Sequence, residues 1–204
     1  MTDVNSESFW EEKYRGGIPG WDLGTPTPVF ESLLDEGAFS APAEVFVPCS
    51  GNGYDAILFA ERGFQVTAVD IAPSPLRTLD SEAQARGLDI EIIHGDMFTL
   101  GARYEERFDY IIEYTCLCAI DTARRDEYLA LLKRLLKPGG RLVALVFPID
   151  GRPGGPPYHI DPKQVEDTAS SGFRLIRKEF HPASIKPRAG KEMLYIWERA
   201  DGNP

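Results

Sequence analysis

With 204 residues and 43% hydrophobic content, the chain is long enough to bury one sizeable core and short for two domains. A formal charge of −10 and a pI near 4.8, without a basic block to neutralise phosphates, argue against a nucleic-acid partner. There is no apolar run of about eighteen residues, and Met1 to Glu7 lacks the basic and apolar regions of a signal peptide, so no membrane span and a cytoplasmic location are expected.

Ser6 to Tyr14 is the first predicted helix, with Ser6 as its cap and Phe9, Trp10 and Tyr14 on or near one face. Arg15 to Gly24 follows as a loop dense in glycine and aromatics. It reads either as a lid or as a packing arm that buries Trp10 and Trp21. Pro28 at a first helical position opens a helix through Glu36, stopped by Gly37. Residues 1–37 thus form a helical arm on one domain spanning 1–204.

Glu44 to Pro48 is an apolar strand closed by Cys49-Ser50-Gly51-Asn52-Gly53, with a helix from Tyr54 to Arg62 behind it. Glycine in such a turn permits positive φ and lets a ligand approach the backbone. Strand Gln65 to Val69 ends at Asp70, a carboxylate placed to accept both hydroxyls of a ribose. Together these features point to an adenosine-containing cofactor. The complete G-x-G-x-x-G of a dinucleotide site is absent, and Asp55 in the first helical turn would repel a pyrophosphate. A sulfonium amino acid with a cationic amino group meets no such objection.

Pro73 to Arg86 is the next predicted helix, ended by Gly87; Ile90 to His94 is a strand leading into Gly95-Asp96-Met97-Phe98, and Phe108 to Glu113 is a fourth strand. A helix from Asp121 or Thr122 to about Leu136 is broken by Pro138-Gly139-Gly140, before a fifth strand Arg141 to Phe147. Continuous apolar runs of this kind indicate parallel strands covered by helices on both faces. Pro148 to Tyr158 is a long Gly/Pro loop at a strand's C-terminal end, where substrate loops belong. A helix capped by Asp161 and strands near Phe173–Phe180 and Glu192–Glu198 complete the pattern, the last two joined by a basic loop, Lys186 to Lys191. This loop reads either as a solvated turn or, through Arg188 and Lys191, as an attractor of anions to the mouth of the site.

Cys49, Cys116 and Cys118 make an odd count without metal-ligand spacing, and His94, His159 and His181 lie far apart in sequence. Reduced thiols and no metal site are expected.

Taken together, Trp21 with Gly24-Thr25-Pro26, Val47 through Asp55, Phe108 through Thr115, Leu136-Lys137-Pro138-Gly139-Gly140, and Phe147-Pro148 leading to Gly154-Gly155-Pro156-Pro157-Tyr158 resemble the S-adenosylmethionine-dependent methyltransferases of the thiopurine methyltransferase superfamily. Within it the resemblance is to the halide, thiocyanate and thiol methyltransferases. It implies a class I methyltransferase Rossmann-like three-layer α/β sandwich, with a mostly parallel seven-stranded sheet whose last strand is antiparallel. Carried over by motif, Trp21, Pro48, Gly51, Gly53, Asp70, Ile71, Asp96, Met97, Phe98 and Tyr114 would contact the cofactor, with S-adenosylhomocysteine as product. Cys49 departs from the usual first loop glycine. Where animal thiopurine enzymes carry an arginine, this chain has Tyr114, and a neutral phenol suits a small nucleophile better than a guanidinium, which suits bulky aromatic thiolates.

Methyl transfer from a sulfonium is an in-line displacement that demands proximity and a desolvated nucleophile. A halide, thiocyanate or hydrosulfide carries an unprotonated lone pair and needs no general base, and the sequence offers no histidine with a fixed acidic partner near the expected site. Trp10, Tyr14, Cys116 and Tyr158 are candidate substrate contacts, and Tyr114 would position the methyl group. The expected partner is a small anion or thiol, with no membrane, and the chain is expected to be a monomer or weak dimer. A thiopurine or other aromatic thiol is the alternative substrate, and a non-catalytic adenosyl-ligand-binding protein the alternative class.

Overall fold

A computed structural model describes residues 3–17 and 19–200. Ile18, in the loop read as a lid or arm, lies outside the described residues, as do residues 1–2 and 201–204. Two compact units are found, residues 1–99 and residues 100–204.

In the first unit, helix α1 (Glu7–Arg15) begins where the Ser6 side chain accepts a bond from the Phe9 amide. Helix α2 (Pro28–Asp35) starts with proline at its first position. Strand β1 (Glu44–Pro48), helix α3 (Tyr54–Glu61), strand β2 (Gln65–Asp70), helix α4 (Pro73–Arg86) and strand β3 (Ile90–His94) then alternate. β1 pairs β2 and β2 pairs β3, both parallel. Val66, Thr67, Ala68 and Val69 are all buried, the signature of a strand covered on both faces. Gly87 closes α4 in the left-handed conformation at φ 66°.

In the second unit, strand β4 (Phe108–Tyr114), helix α5 (Arg125–Leu135) and strand β5 (Leu136–Val146) are followed by helix α6 (Pro162–Ala169), capped by Asp161, and by strands β6 (Phe173–Glu179) and β7 (Met193–Arg199). β4 and β5 are parallel, whereas β7 runs antiparallel to both β5 and β6. The strand order β3-β2-β1-β4-β5-β7-β6 is that of a seven-stranded mixed sheet.

One boundary departs from expectation. The helix ends at Leu135 and β5 begins at Leu136, so Pro138-Gly139-Gly140 lies within the strand as an irregularity rather than before it. A Cβ on Gly140 would fall 2.9 Å from the Lys137 carbonyl and 3.0 Å from that of Phe108, so the chain passes too close to backbone for any side chain.

Candidate functional site

The first unit brings the arm onto the glycine loop. Glu11, the one buried residue of α1, accepts bonds from the Ser74 amide at 3.0 Å and the Ser74 hydroxyl at 2.5 Å, at the start of α4. Those bonds, chiefly the hydroxyl's, hold its carboxyl below the usual range. Trp10, Tyr14 and Trp21 form an edge-to-face cluster, with ring centroids 5.7 Å apart for the tryptophan pair and 5.9 Å for Tyr14 and Trp21. Asp22 accepts from the Asn52 amide group at 2.5 Å, and the cleft enclosed there, about 270 Å³, is lined by Tyr14, Pro19, Asp22, Asn52, Tyr54 and Ser74 among others. His94 meets Glu7 at 3.2 Å, so a histidine with an acidic partner does occur, though both side chains are about half exposed.

Asp55 is fully engaged by Thr27, whose amide and hydroxyl donate at 2.7 and 2.9 Å. Burial raises its carboxyl to about 6. It serves as a strut between α3 and the start of α2.

The loop after β1 is built by its glycines. Gly51 and Gly53 sit at φ 54° and 78°, and a Cβ on Gly53 would lie 2.3 Å from the Leu79 side chain. A Cβ on Gly51 would fall 2.9 Å from the Tyr14 hydroxyl. Pro48 ends β1, buried, opposite Val69. Asp70 accepts from the Gly51 amide through one carboxylate oxygen and the Ala72 amide through the other, each at 2.9 Å. Burial raises its pKa while these amides lower it. Each oxygen keeps a further lone pair, so two hydroxyls remain acceptable. Asp96 makes a turn by accepting from the Phe98 amide; Met97 is buried, while Ile71 and Phe98 are half-buried.

In the second unit, Tyr114 ends β4. Its hydroxyl donates to Glu192 at 2.7 Å and accepts from the Arg188 guanidinium at 2.5 Å. Arg188 is 6% exposed and lies over the rings of Tyr114 and Phe147, at 5.1 and 4.8 Å from their centroids. Burial first, then the Glu192 carboxylate, raises the Tyr114 phenol well above its ordinary value, so it stays protonated. Tyr158 is half-buried and bonds through its amide to the Cys118 carbonyl at 2.8 Å.

Two expectations are corrected. Cys49 and Cys116 are half-cystines, and the free thiol is Cys118, whose pKa burial pushes up to about 12. Cys116, fully buried and without a thiol, presents no surface to a substrate. The basic loop is not simply a solvated turn either. Lys186 and Lys191 are exposed, but Arg188 is buried.

The sequence points to Arg188 only as a charge at the mouth of the site and does not point to Glu192, although the topology holds a signal for both. β7 is antiparallel to β5 with Met193 opposite Val146, so the residues just before Met193 stand at the C-terminal end of β5. Tyr114 lies at that same end, opposite Leu145.

The sequence matches the family model described as Thiopurine S-methyltransferase (TPMT) over residues 5–199. It is 33% identical to a probable thiol methyltransferase 2 of Arabidopsis thaliana, covering 98% of this chain and 88% of that one. Thiocyanate methyltransferase 1 of Brassica oleracea is 34% identical with the same coverages, and thiopurine S-methyltransferase of Vibrio atlanticus is 26% identical over 96% and 99%. Among solved structures, one from work on conversion of a disulfide bond into a thioacetal group during echinomycin biosynthesis aligns with a TM-score of 0.80 at 22% identity, covering 95% and 93%. A Burkholderia thailandensis 1,6-didemethyltoxoflavin-N1-methyltransferase with bound S-adenosylhomocysteine aligns with a TM-score of 0.73 at 25% identity, covering 96% and 87%.

Proposed function

Because the chain belongs to the thiopurine S-methyltransferase family and is an S-adenosylmethionine-dependent methyltransferase with the class I fold, we propose that it methylates a small soft anion: hydrosulfide, a small thiolate, thiocyanate or a halide. The observation that carries this reading is the buried guanidinium of Arg188 against the rings of Tyr114 and Phe147. Arg188 thus brings back, from the loop before β7, the guanidinium that Tyr114 replaces. A cation beside apolar faces attracts a soft anion and strips its water. The preference for a small anion over an aromatic thiolate is supported by the relatives named thiol and thiocyanate methyltransferase.

The residues of the first unit fit the cofactor. The free lone pairs of Asp70 accept ribose hydroxyls, Gly51 and Gly53 leave the loop open to close approach, and Ile71 and Phe98 offer apolar surface to adenine. The carboxylate of Asp22 complements a cationic amino group, and Trp10, Tyr14 and Trp21 cover the loop. When bound, S-adenosylmethionine supplies an electrophilic methyl group. Tyr114, held protonated and bonded to Glu192, positions the nucleophile rather than deprotonating it.

The relatives named thiol and thiocyanate methyltransferase support the small-anion reading; the family model and the Vibrio relative support an aromatic thiol as the second reading. The match over residues 5–199 supports one methyltransferase domain with residues 1–37 as its arm. No helix among the described residues is long and apolar enough to cross a membrane. A cytoplasmic monomer or weak dimer remains our reading, to be checked by fractionation and light scattering.

Headspace gas chromatography over protein, S-adenosylmethionine and one anion per vial tests the proposal. Methyl iodide, methyl thiocyanate or methanethiol formed together with S-adenosylhomocysteine is the expected result. Turnover of mercaptopurine alone would overturn it in favour of the aromatic thiol.

A further inference from the structure

Glu113 is 2% exposed, penultimate in β4, and unused in the chemistry above. One of its oxygens accepts the Cys116 amide at 3.1 Å and the Leu117 amide at 2.8 Å. The turn so held begins at Thr115, a β-branched residue at φ 62°, a conformation that persists only when the surroundings impose it. Cys118 of the same turn accepts the Tyr158 amide at 2.8 Å, and the Pro148 carbonyl accepts the Ile160 amide at 2.8 Å. A second support comes from α5. Arg125 occupies its first residue, where the helix dipole disfavours a cation. Its guanidinium donates to the His159 carbonyl at 3.1 Å, and its buried Nε has no hydrogen-bond partner.

We propose that Glu113, with Arg125, is the positioning residue of the methyl-transfer site: its carboxylate clamps the 115–118 turn beside Tyr114 and, through Cys118 and His159, fixes the loop after β5 that carries Tyr158. This rests on the methyl-transfer reading above. The groups facing the carboxylate are Arg125 and Tyr128 from α5 and the Cys118 thiol from the turn. Burial lifts Glu113 to about 7 against the opposing pull of the two amides and Arg125. The two amides favour the ionised carboxylate, but burial outweighs them, so the clamp is strongest with Glu113 protonated and loosens as pH rises toward that value.

The test combines kinetics on iodide, which does not titrate near neutrality, with amide exchange protection at Cys116, Leu117 and Tyr158, normalised for intrinsic rate, over about pH 5.5 to 8.5. In the native sequence both kcat and protection should fall as pH rises toward about 7 and level off above it. In Glu113→Gln, which keeps the accepting oxygen, both profiles should flatten. In Glu113→Ala kcat should fall about tenfold or more while the KM for S-adenosylmethionine stays unchanged, because a small misplacement of positioning groups is costly. Arg125→Met, which keeps both amides on Glu113 but removes the bond to His159, should shift the midpoint to higher pH and so decides the matter if the Glu113 variants do not fold. Unaltered profiles in Glu113→Gln and Arg125→Met, or a matching rise of both KM values with protection lost throughout the chain, would overturn the proposal. If no nucleophile is turned over, the substrate reading fails and the exchange profiles alone judge the clamp.

Discussion

The two units differ in what accompanies their buried carboxylates. In the first, carboxylates do the organising: Glu11, Asp22, Asp55 and Asp70 accept bonds from Ser74, Asn52, Thr27, Gly51 and Ala72. In the second, the strand ends are organised around a buried guanidinium, that of Arg188, with Tyr114 and Phe147 as its walls. An acidic, backbone-rich cradle suits a cationic sulfonium amino acid, whereas a guanidinium between rings suits a soft anion. Buried carboxylates occur in both units, Glu113 and Glu192 in the second; what the second adds is a buried guanidinium set against rings.

The sharpest break of that contrast is Asp70→Ala, which removes an acceptor for two hydroxyls. Calorimetry with S-adenosylhomocysteine should show affinity lost by about a thousandfold, ~4 kcal/mol, since hydrogen bonds to charged groups are the strong ones. Retained affinity would mean that Asp70 serves only to tie the loop to β2.

Next comes the pH dependence of stability. Burial raises Glu113 to about 7 and Asp55 to about 6, above their ordinary values of 4.5 and 3.8. Between roughly pH 4 and 7 the native state therefore holds more protons than the unfolded state, and stability falls as pH rises until both states are ionised. Glu113 alone accounts for a span of roughly 3 kcal/mol. Urea midpoints should decline across this window, and Glu113→Gln should lose about half of the slope, including the part above pH 6, with Asp55 keeping the rest.

Arg188→Met keeps the stem and removes the charge. It should lower kcat/KM for thiocyanate about thirtyfold, ~2 kcal/mol, and leave cofactor binding intact. Equal loss for both ligands would erase the division of labour. The smallest effect belongs to the arm: Glu11→Gln should raise the KM for S-adenosylmethionine about fivefold, ~1 kcal/mol, and speed proteolysis at Arg15. An arm that stays equally protected would be held by its aromatic cluster instead.

Legibility followed locality. The glycine loop and Asp70 could be read because each residue does a backbone task within one βα turn: Gly51 and Gly53 need positive φ, and Asp70 stands where β2 ends. The alternation of strands and helices was equally plain, since buried parallel strands are continuously apolar. Arg188 was legible only as an attractor of anions at the mouth, because it meets Tyr114 across a separation of 74 positions, set by the antiparallel register of β7. Glu113 ends a strand like many acidic residues; only the left-handed Thr115 after it shows why a buried carboxylate is needed. The disulfide-bonded state of Cys49 and Cys116 has no local signal in a chain with an odd cysteine count.

The most direct test of the account is a comparison of kcat/KM for hydrosulfide, thiocyanate, iodide and mercaptopurine on one preparation, with S-adenosylhomocysteine formation as the common readout. The account predicts that at least one small anion exceeds mercaptopurine and that Arg188→Met reverses or removes this advantage. Preference for mercaptopurine in both forms of the protein would contradict it.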